Sequence, residues 1–432
     1  MVEKTTFSLV DELLRPYDFA NDKDGISGKR LAERLDEISK IGRTAENGSN
    51  RPGFSLAEKQ AKNLVVKWMI EVGLDVHEDG AGNIFGRLSG KAKEDLTILS
   101  GSHIDTVPNG GHFDGVLGVL SALEVVEAWK EVGYQPNKSF EVAIFTDEEG
   151  SRFNSGFGGS EAMMGKVNTD EKLQLTDIEG KSFSEVLASV GLSVEGYEKA
   201  SRSLDDIEMF VELHIEQGKR LEKENLPCGI VTGIAGPSWI SLTFSGEAGH
   251  AGNTPMNDRR DALVAASEFV NRLSQLPQQI NDSAVATVGK INVHPNGVNV
   301  IPGEVNLYVD IRDIYEETRD KLIDQVIDLS EEIAQKHSVQ VKHEEKTRVT
   351  PIPIAQDNQR LLAETFESMG LQPYYLPSGA GHDAMIIGEA IPISMIFVRS
   401  KGGISHNPAE WTDLVDAVVG ARVLKSFIER LQ

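Results

Sequence analysis

The sequence predicts an α/β domain with a mixed, mainly parallel sheet, interrupted by an inserted ferredoxin-like domain. Residues 96–100 and 140–146 are apolar runs typical of buried strands. Between them, residues 115–132 repeat apolar side chains at helical spacing. A strand, a helix and a strand in this order favour a parallel sheet. The insertion is predicted from the element order βαββαβ over residues 236–348.

An earlier helix is predicted from its two ends. Ser55 followed by Glu58 predicts a capping box, and the helix would run to about Val72 and end at Gly73. Clusters of histidine and acidic residues follow the two predicted strands. Because ligands of open α/β sheets bind beyond the carboxyl ends of the strands, we expect the functional site at this edge.

The inserted segment alternates strands with helices. Strands are predicted over residues 239–244, 284–293, 304–312 and 339–345, and helices over residues 260–276 and 316–336. This order is the ferredoxin-like signature. We therefore predict an inserted domain over 236–348 and a discontinuous α/β domain over 1–235 and 349–432.

Charge and cysteine content limit the partners and the compartment. The 432 residues carry a net charge of −24, which argues against nucleic-acid or anionic-membrane partners. Cys228 is the only cysteine, so the chain has no internal disulfide. The first residues lack an apolar signal-peptide core, and no apolar run approaches the ~18 residues of a membrane span. We expect a cytoplasmic protein.

Five segments combine histidine or carboxylate side chains with glycines or strand ends. They are Ser102–Asp105, Gly111–Gly115, Asp147–Gly150, Leu213–Gly218 and Ser405–Pro408. Histidine and carboxylate together are the ligands of Zn²⁺ or Mn²⁺ in hydrolases. A two-metal site also needs a bridging ligand, and Asp114 suits this role because a glycine and a helix follow it. Each segment alone is weak evidence, because a lone His-x-Asp is more often structural and a Glu-Glu pair is usually a solvated surface.

Two pairs of neighbouring residues have complementary roles in such a site. Asp105 lies two residues after His103, on the same face of a strand, where it would hold the second ring nitrogen of His103. Glu148 and Glu149 are adjacent and point in different directions, so one would bind metal while the other acts as general base. The sequence has no GxxxxGK[ST] phosphate loop and no Ser/His/Asp triad.

Seven ordered motifs between about residues 100 and 412 resemble one family. They are GSHIDTVPNGGHFDGVLGV, TDEEGSRF, ELHIEQG, AGHAGNTPMNDRRDAL, GVNVIPGEV with DIRD, SGAGHDAM and ISHNPAEW. The chain resembles the N-carbamoyl-L-amino-acid hydrolase and allantoate amidohydrolase family, within the dinuclear-metal aminoacylase/carboxypeptidase superfamily. A histidine within HIEQG, where the superfamily commonly has a carboxylate, favours the carbamoylase branch over peptidases.

The resemblance implies a metallo-hydrolase domain with two divalent metal ions (Zn, Mn or Co) per subunit. One ion would be held by His103, Asp114 and His214, and the other by Asp114, Glu149 and His406. Glu148 would be the general base, with Asp105 as a catalytic neighbour. The inserted domain would act as a lid and as the contact of a homodimer, in which His250 reaches the partner's active site and polarises the scissile carbonyl.

The resemblance also implies how a small carboxylate-bearing ureido substrate binds. The candidate residues are Gln217, His250, Asn299, Arg312, His382, Gly402 and Gly403. Arg312 suits the α-carboxylate because guanidinium makes bidentate pairs. Each of four candidates also has a structural interpretation. Arg312 would pair with Asp310 or Asp313. His250 and Asn299 would be turn residues, and His382 would be a core histidine. His112 has no assigned role, and Glu161 stands where relatives often carry a basic residue.

The implied reaction is hydrolysis of the carbamoyl C–N bond of N-carbamoyl-L-amino acids or allantoate-like ureides, releasing ammonia and carbon dioxide. The alternative is a peptidase or N-acyl-amino-acid hydrolase of the same superfamily. A non-catalytic binding homologue would be expected to lack the base or a ligand, whereas Glu148 and all five ligands are present.

Overall fold

A computed structural model describes residues 8–92 and 96–432, which divide into two compact units. The first comprises the described residues up to Val231 with Ile354–Leu376 and His382–Gln432, and the second comprises Thr232–Pro353 and Pro377–Gly381. The second unit contains all of the predicted insertion, 236–348, together with short flanks. The flanks belong to it because Ile352 pairs with Ile234, and Arg312 donates to the carbonyl of Gly379.

The first unit is built on a mixed sheet. Its strands are β1 (Asp75–Glu78), β2 (Ile84–Leu88), β3 (Thr97–His103), β4 (Ser139–Phe145), β5 (Ile207–Ile215), β6 (Cys228–Ile234), β14 (Tyr375–Ser378) and β15 (Ile393–Val398). They lie in the order β1-β2-β4-β3-β5-β15-β6, with β14 also paired to β6. The central strands β4, β3, β5 and β15 are parallel, and antiparallel strands flank them on both sides.

The first unit also contains the following helices. They are α1 (Leu9–Leu14), α2 (Gly28–Ser39), α3 (Leu56–Val72), α4 (Val116–Val132), α5 (Gly158–Met163), α6 (Thr169–Lys172), α7 (Phe183–Ser189), α8 (Val194–Glu198), α9 (Arg220–Glu224), α12 (Gln356–Ser368), α13 (Asp383–Ile387) and α14 (Leu414–Arg430). Helix α4 packs against β3 and β5, and its far side contacts α2 and α14. Its side chains are therefore buried almost all round, as its apolar sequence requires.

The predicted strand–helix–strand unit corresponds to β3, α4 and β4, and β3 extends three residues further than predicted, to His103. Helix α3 begins and ends where predicted: Ser55 accepts from the N–H of Glu58, and Gly73 is left-handed at φ 83°. The capping box is incomplete, however. The Glu58 carboxylate accepts from the N–H of Phe54 at 2.6 Å and not from Ser55.

The second unit contains an antiparallel four-stranded sheet among its described residues. Its elements are β7 (Gly236–Ser245), β8 (Gly249–His250), α10 (Ala262–Leu273), β9 (Val285–His294), β10 (Val300–Ile301), β11 (Glu304–Asp313), α11 (Glu316–Lys336), β12 (Gln340–Arg348) and β13 (Ile352–Pro353). The strands lie in the order β12-β7-β11-β9. The buried face of β7 and β11 packs against α10 and α11. The longer elements follow the predicted order βαββαβ, with β8 and β10 as an additional small pair.

Among the helices of residues 8–92 and 96–432, none is both long and apolar enough to cross a membrane.

Candidate metal centre

The predicted ligands lie at the carboxyl ends of the four parallel strands of the first unit. His103 is the last residue of β3, and His214 is the last but one of β5. Glu148 and Glu149 follow the end of β4, and His406 follows β15. Since these strands are neighbours, the sheet brings side chains from distant parts of the sequence to one edge.

His103, Asp114 and His214 form a buried group whose ligand atoms all lie within 4.8 Å of one another. Oδ1 of Asp114 lies 3.0 Å from Nε2 of His214 and 4.0 Å from Nε2 of His103. Donors about 2.1 Å from one tetrahedral ion lie roughly 3.4 Å apart. The spacing of this group therefore fits one metal ion.

A second group shares Asp114 with the first. Oδ2 of Asp114 lies 3.2 Å from Nε2 of His406, and Oε2 of Glu149 lies 3.4 Å from the same nitrogen. The ligand atoms of Asp114, Glu149 and His406 again lie within 4.8 Å of one another. Because Asp114 offers one oxygen to each group, its carboxylate is placed as a bridge.

The two buried histidines present the same ring nitrogen to the site. Nδ1 of His103 donates to the main-chain carbonyl of Asp105 at 3.1 Å, and Nδ1 of His214 donates to the carbonyl of Ile215 at 2.9 Å. A carbonyl accepts only, so Nδ1 carries the proton in both rings and Nε2 keeps its lone pair for a ligand bond.

The prediction for Asp105 is wrong in its detail. β3 ends at His103, so the strand rule does not extend to Asp105, and the Asp105 carboxylate stays 3.6 Å from Nδ1 of His103. That carboxylate instead accepts from the N–H groups of Glu148 and Glu149, each at 3.2 Å. Asp105 thus holds His103 with its main chain and the glutamate pair with its side chain.

The adjacent glutamates point to different histidines, as predicted. Oε2 of Glu148 lies 3.6 Å from Nε2 of His103, whereas Oε2 of Glu149 faces His406. Burial, reinforced by the charge of Glu149, raises the pKa of Glu148 well above its usual value. Burial and the charge of Asp114 do the same to the pKa of Glu149.

Gly115 explains why Asp114 can approach the histidines. It has a left-handed conformation at φ 65°, and a Cβ there would lie 2.5 Å from Nε2 of His103. Any side chain would both strain the backbone and displace the imidazole. The glycine after Asp114 is therefore required by the site itself.

The electrostatics of the site favour a bound cation. Burial lowers the pKa of His103 to about 4, so this ring is neutral. Burial also lowers the pKa of His214, but the hydrogen bond and charge of Asp114 outweigh burial and raise it to about 9. These interactions also hold the pKa of Asp114 well below its usual value. A cation between the Asp114 carboxylate and Nε2 of His214 would be stabilised by the same charge.

The donor set fits divalent metal. Imidazole nitrogens and carboxylate oxygens are the ligands of Zn²⁺ and Mn²⁺ sites, and buried carboxylates that raise one another's pKa are stabilised by positive charge. The side-chain amide of Gln217 also lies at the site. Its Oε1 is buried without a hydrogen-bond partner in the described part of the chain, while its Nε2 donates to Oδ2 of Asp114 at 3.1 Å.

Three residues of the site have left-handed backbone conformations that are unfavourable for non-glycine residues. They are Asp147 at φ 56°, Gln217 at φ 56° and His406 at φ 53°. Such conformations cost on the order of 1–3 kcal/mol each and cluster at functional sites. The surrounding fold must therefore hold the loops after β4, β5 and β15 in these unfavourable backbone conformations.

The substrate candidates of the second unit have local partners. Arg312 makes a bidentate pair with Asp310, at 2.9 and 2.8 Å, so the alternative left open by the sequence does occur. His250 lies in strand β8 and not in a loop, and its Nδ1 accepts from the N–H groups of Gly252 and Asn253. Asn299 is exposed, and its carbonyl accepts from Ala251.

The remaining substrate candidates lie in the first unit. His382 is buried, with its ring centroid 4.5 Å from that of His214. Gly402 and Gly403 are both left-handed, at φ 65° and 64°. A Cβ at Gly403 would lie 2.8 Å from the carbonyl carbon of Gly218, so the glycine lets the loop after β15 pack against the loop after β5.

His112 and Glu161, left without a role by the sequence, have structural partners. Nε2 of His112 donates to the carbonyl of Asn47, and its Nδ1 accepts from Ser49, both at 2.7 Å. Glu161 pairs with Lys172 at 3.2 Å. These contacts connect surrounding loops and supply no metal ligand.

Sequence reasoning missed two buried glutamates near the ligands. Glu212 accepts from Ser102 and from the N–H of Ala384, and forms a third potential ligand group with His214 and His382. Glu410 accepts from the N–H of Asp114, and burial with the nearby charge of Asp114 raises its pKa to about 7. Both lie within quoted motifs, but local spacing does not show what they contact.

Comparison with known proteins identifies the family. The profile of peptidase family M20/M25/M40 matches residues 99–430, which is most of the chain. The chain belongs to this family. The M20 match spans all five candidate ligands and both glutamates after β4.

Individual relatives confirm the predicted resemblance within the family. The chain is 42% identical to an N-carbamoyl-L-amino acid amidohydrolase of Geobacillus stearothermophilus, over 92% of this chain and 97% of the relative. It is 36% identical to an allantoate amidohydrolase of Bacillus subtilis, over 93% and 97%. A solved amidase of the hydantoinase/carbamoylase family from Burkholderia multivorans superposes with a TM-score of 0.88 at 34% identity, covering 95% of this chain and 98% of that one.

Proposed function

We propose that this chain is a metal-dependent amidohydrolase that cleaves the carbamoyl C–N bond of N-carbamoyl-L-amino acids or allantoate-like ureides. One observation carries the proposal: the Asp114 carboxylate offers one oxygen to each of two ligand groups, and Glu148 lies beside them. The names of the relatives supply the substrate class. Water attack on the carbamoyl carbon would release ammonia, carbon dioxide and the amine.

Two divalent ions, Zn, Mn or Co, are proposed as cofactors. His103, Asp114 and His214 would hold one, and Asp114, Glu149 and His406 the other. The third group is less suitable, because both oxygens of Glu212 already accept hydrogen bonds. Bound cations would neutralise the buried carboxylates and make the water and the carbonyl carbon more reactive.

Glu148 performs the proton transfers in this proposal. Its carboxylate lies beside the first ligand group, where it would take a proton from the attacking water and return it to the leaving nitrogen. Glu148 is held in place by Asp105, whose carboxylate accepts from its N–H. Asp105 therefore acts through the position of the base and not on the substrate.

The second unit is proposed as a ferredoxin-like lid and dimerisation domain. Arg312 would bind the substrate carboxylate with the N–H groups that Asp310 and Gly379 leave unused. His250 would complete the active site of the partner subunit, with Nε2 polarising the carbonyl, since Nδ1 is occupied by the turn that follows. Gln217, Asn299, His382, Gly402 and Gly403 are proposed as the remaining substrate contacts.

A substrate panel tests the activity. Protein loaded with Mn²⁺, Co²⁺ or Zn²⁺ is assayed on N-carbamoyl and N-acetyl derivatives of the same amino acids and on allantoate, with ammonia and amino acid detected separately. We expect ammonia release from the ureido substrates. Turnover restricted to N-acetyl or peptide substrates would replace the proposal by the peptidase or aminoacylase alternative.

Arg312→Lys is expected to raise KM for carboxylate-bearing substrates about tenfold, because lysine keeps the charge but loses the planar fork. The matched control is Arg348→Lys, which alters a similar bidentate pair, with Glu345, in the same sheet. Steady-state kinetics of both variants give the comparison. Equal KM values for the wild type and Arg312→Lys would remove Arg312 from the substrate site.

Subunit mixing tests the homodimer with composite sites. His250→Ala and Glu148→Gln proteins are each expected to be inactive. After subunit exchange, one site of a mixed dimer would carry both defects and the other neither, so about half the wild-type activity should return per mixed dimer. Each variant mixed with itself is the control. Absence of recovery despite demonstrated exchange would place His250 in the site of its own subunit or outside it.

A further inference from the structure

Glu410 is a buried carboxylate at 2% exposure, close to the candidate metal centre. Its Oε1 accepts from two consecutive N–H groups, those of Phe113 at 2.9 Å and Asp114 at 3.1 Å. Its Oε2 accepts from the hydroxyl of Ser405 at 2.9 Å. One side chain thus joins the loop of the bridging carboxylate to the loop of His406.

The chain is shaped around this carboxylate. A Cβ at Gly111 would lie 2.0 Å from Oε1 of Glu410, so only glycine fits beside it. Ser405 lies 3.1 Å from Oδ2 of Asp114 and accepts from Gln217 at 3.2 Å. A hydroxyl has one proton, so Ser405 donates to one of the two carboxylates, Glu410 or Asp114, at a time.

These contacts bear on both ligand groups through Asp114, and on the second group also through Ser405. Asp114 belongs to both, but Ser405 immediately precedes His406, which belongs to the second alone. His406 is half-exposed, with 49% of its side-chain surface accessible, and has a left-handed backbone. The His406 side chain has few contacts that fix its position. The geometry of the second ligand group therefore depends on how the loop of His406 is held.

We propose that Glu410 is a positioning residue that fixes Asp114 against His406 and thereby sets the affinity of the second metal site. The inference rests on the proposed metal centre. Outer partners of metal ligands typically change metal affinity by about 10- to 100-fold when removed. Unlike such partners, Glu410 accepts from the main-chain N–H of one ligand, Asp114, and from Ser405, the residue that precedes another ligand, His406.

The test measures metal binding by the full-length metal-free protein, using Co²⁺ in competition with a chromophoric chelator, and the visible absorption of bound Co²⁺. His406 belongs to the second group alone, so the Co²⁺-binding step that His406→Ala weakens is assigned to the second site. Glu410→Ala is expected to weaken that step at least about tenfold and the other step much less. Glu410→Gln is expected to restore most of the affinity, because its amide oxygen can still accept from both N–H groups.

The matched control is Asp36→Ala. Oδ1 of Asp36 also accepts from two consecutive N–H groups of a distant segment, those of Leu9 and Val10, but lies outside the ligand groups. In the double variant Glu410→Ala/His406→Ala, the remaining step should match that of His406→Ala alone. Hydrogen exchange of residues 111–115 and 403–408 in the metal-free protein should rise in Glu410→Ala and not in Asp36→Ala.

The outcomes are distinct. Wild-type protein that binds no divalent metal would overturn the proposed metal centre, and this inference with it. Wild-type protein that binds two ions, with Glu410→Ala binding both equally well, would overturn the role of Glu410 alone. Equal weakening of both steps, matched by Asp36→Ala, would show a general structural role and overturn it as well. If Glu410→Ala does not fold, an unchanged Co²⁺ spectrum and affinity of the second site in Ser405→Ala would count against the proposal.

Discussion

Removal of divalent metal is expected to abolish hydrolysis of ureido substrates, and addition of Mn²⁺, Co²⁺ or Zn²⁺ to restore it. The physical reason is the concentration of buried carboxylates at the strand ends. Burial and the charges of neighbouring carboxylates raise the pKa values of Glu148 and Glu149, because ionised carboxylates are costly there without a compensating positive charge. Bound divalent metal would supply that charge.

The measurement is activity after dialysis against a chelator, with elemental analysis of the same sample before and after metal addition. Thermal unfolding gives a second readout, because ions that bind only the folded protein raise Tm. Asp114→Asn should lower the content of both metals, since each group uses this carboxylate. Full activity in a sample shown to be metal-free would disprove the metal-dependent mechanism.

The part of the fold that the sequence predicts well is the part with local signals. Strands β3 and β4 are apolar runs, and helix α4 repeats apolar side chains at helical spacing. The three elements lie close together along the chain. Their order places His103 and the glutamate pair at one edge. In the second unit, strands β7 and β11 also have a local signal, since buried apolar residues alternate with more exposed ones along them.

The pairing of distant strands could not be predicted in this way. Strand β15 pairs with β5 through Ile393 and Phe210, which lie 183 residues apart, and no local pattern specifies such a register. The strands β2 and β6, which flank the parallel strands and run antiparallel to them, are likewise determined by tertiary packing. Their neighbours, and not their sequences, decide the direction in which they run.

The site shows the same limit at the level of side chains. The motifs identified the ligands, whereas the contacts that hold those ligands depend on three-dimensional neighbours. The bond from Asp114 to Glu410 joins residues 296 positions apart. The pairing of Arg312 with Asp310 was one of the open alternatives, because residues two apart share a strand face. The same rule was wrong for His103 and Asp105, where the strand ends too early.

Glu148→Gln is expected to lower kcat by about 10²- to 10⁴-fold, because it removes the general base and keeps the size of the side chain. The matched comparison is Glu149→Gln. Glu149 faces His406, so this change is expected to reduce metal content at the second site as well as activity. Metal content is measured by elemental analysis and kcat by ammonia release, on the same preparations.

The comparison is informative because the two glutamates lie so close to the same ligands. Oε2 of Glu148 is 3.6 Å from Nε2 of His103, a separation that a metal ligand would also show. The distances therefore do not distinguish the general base from a metal ligand, whereas the metal content of the two variants does. We expect Glu148→Gln to keep about two ions per chain, as the five proposed ligands are untouched. Loss of metal in Glu148→Gln with retention in Glu149→Gln would exchange the two assignments.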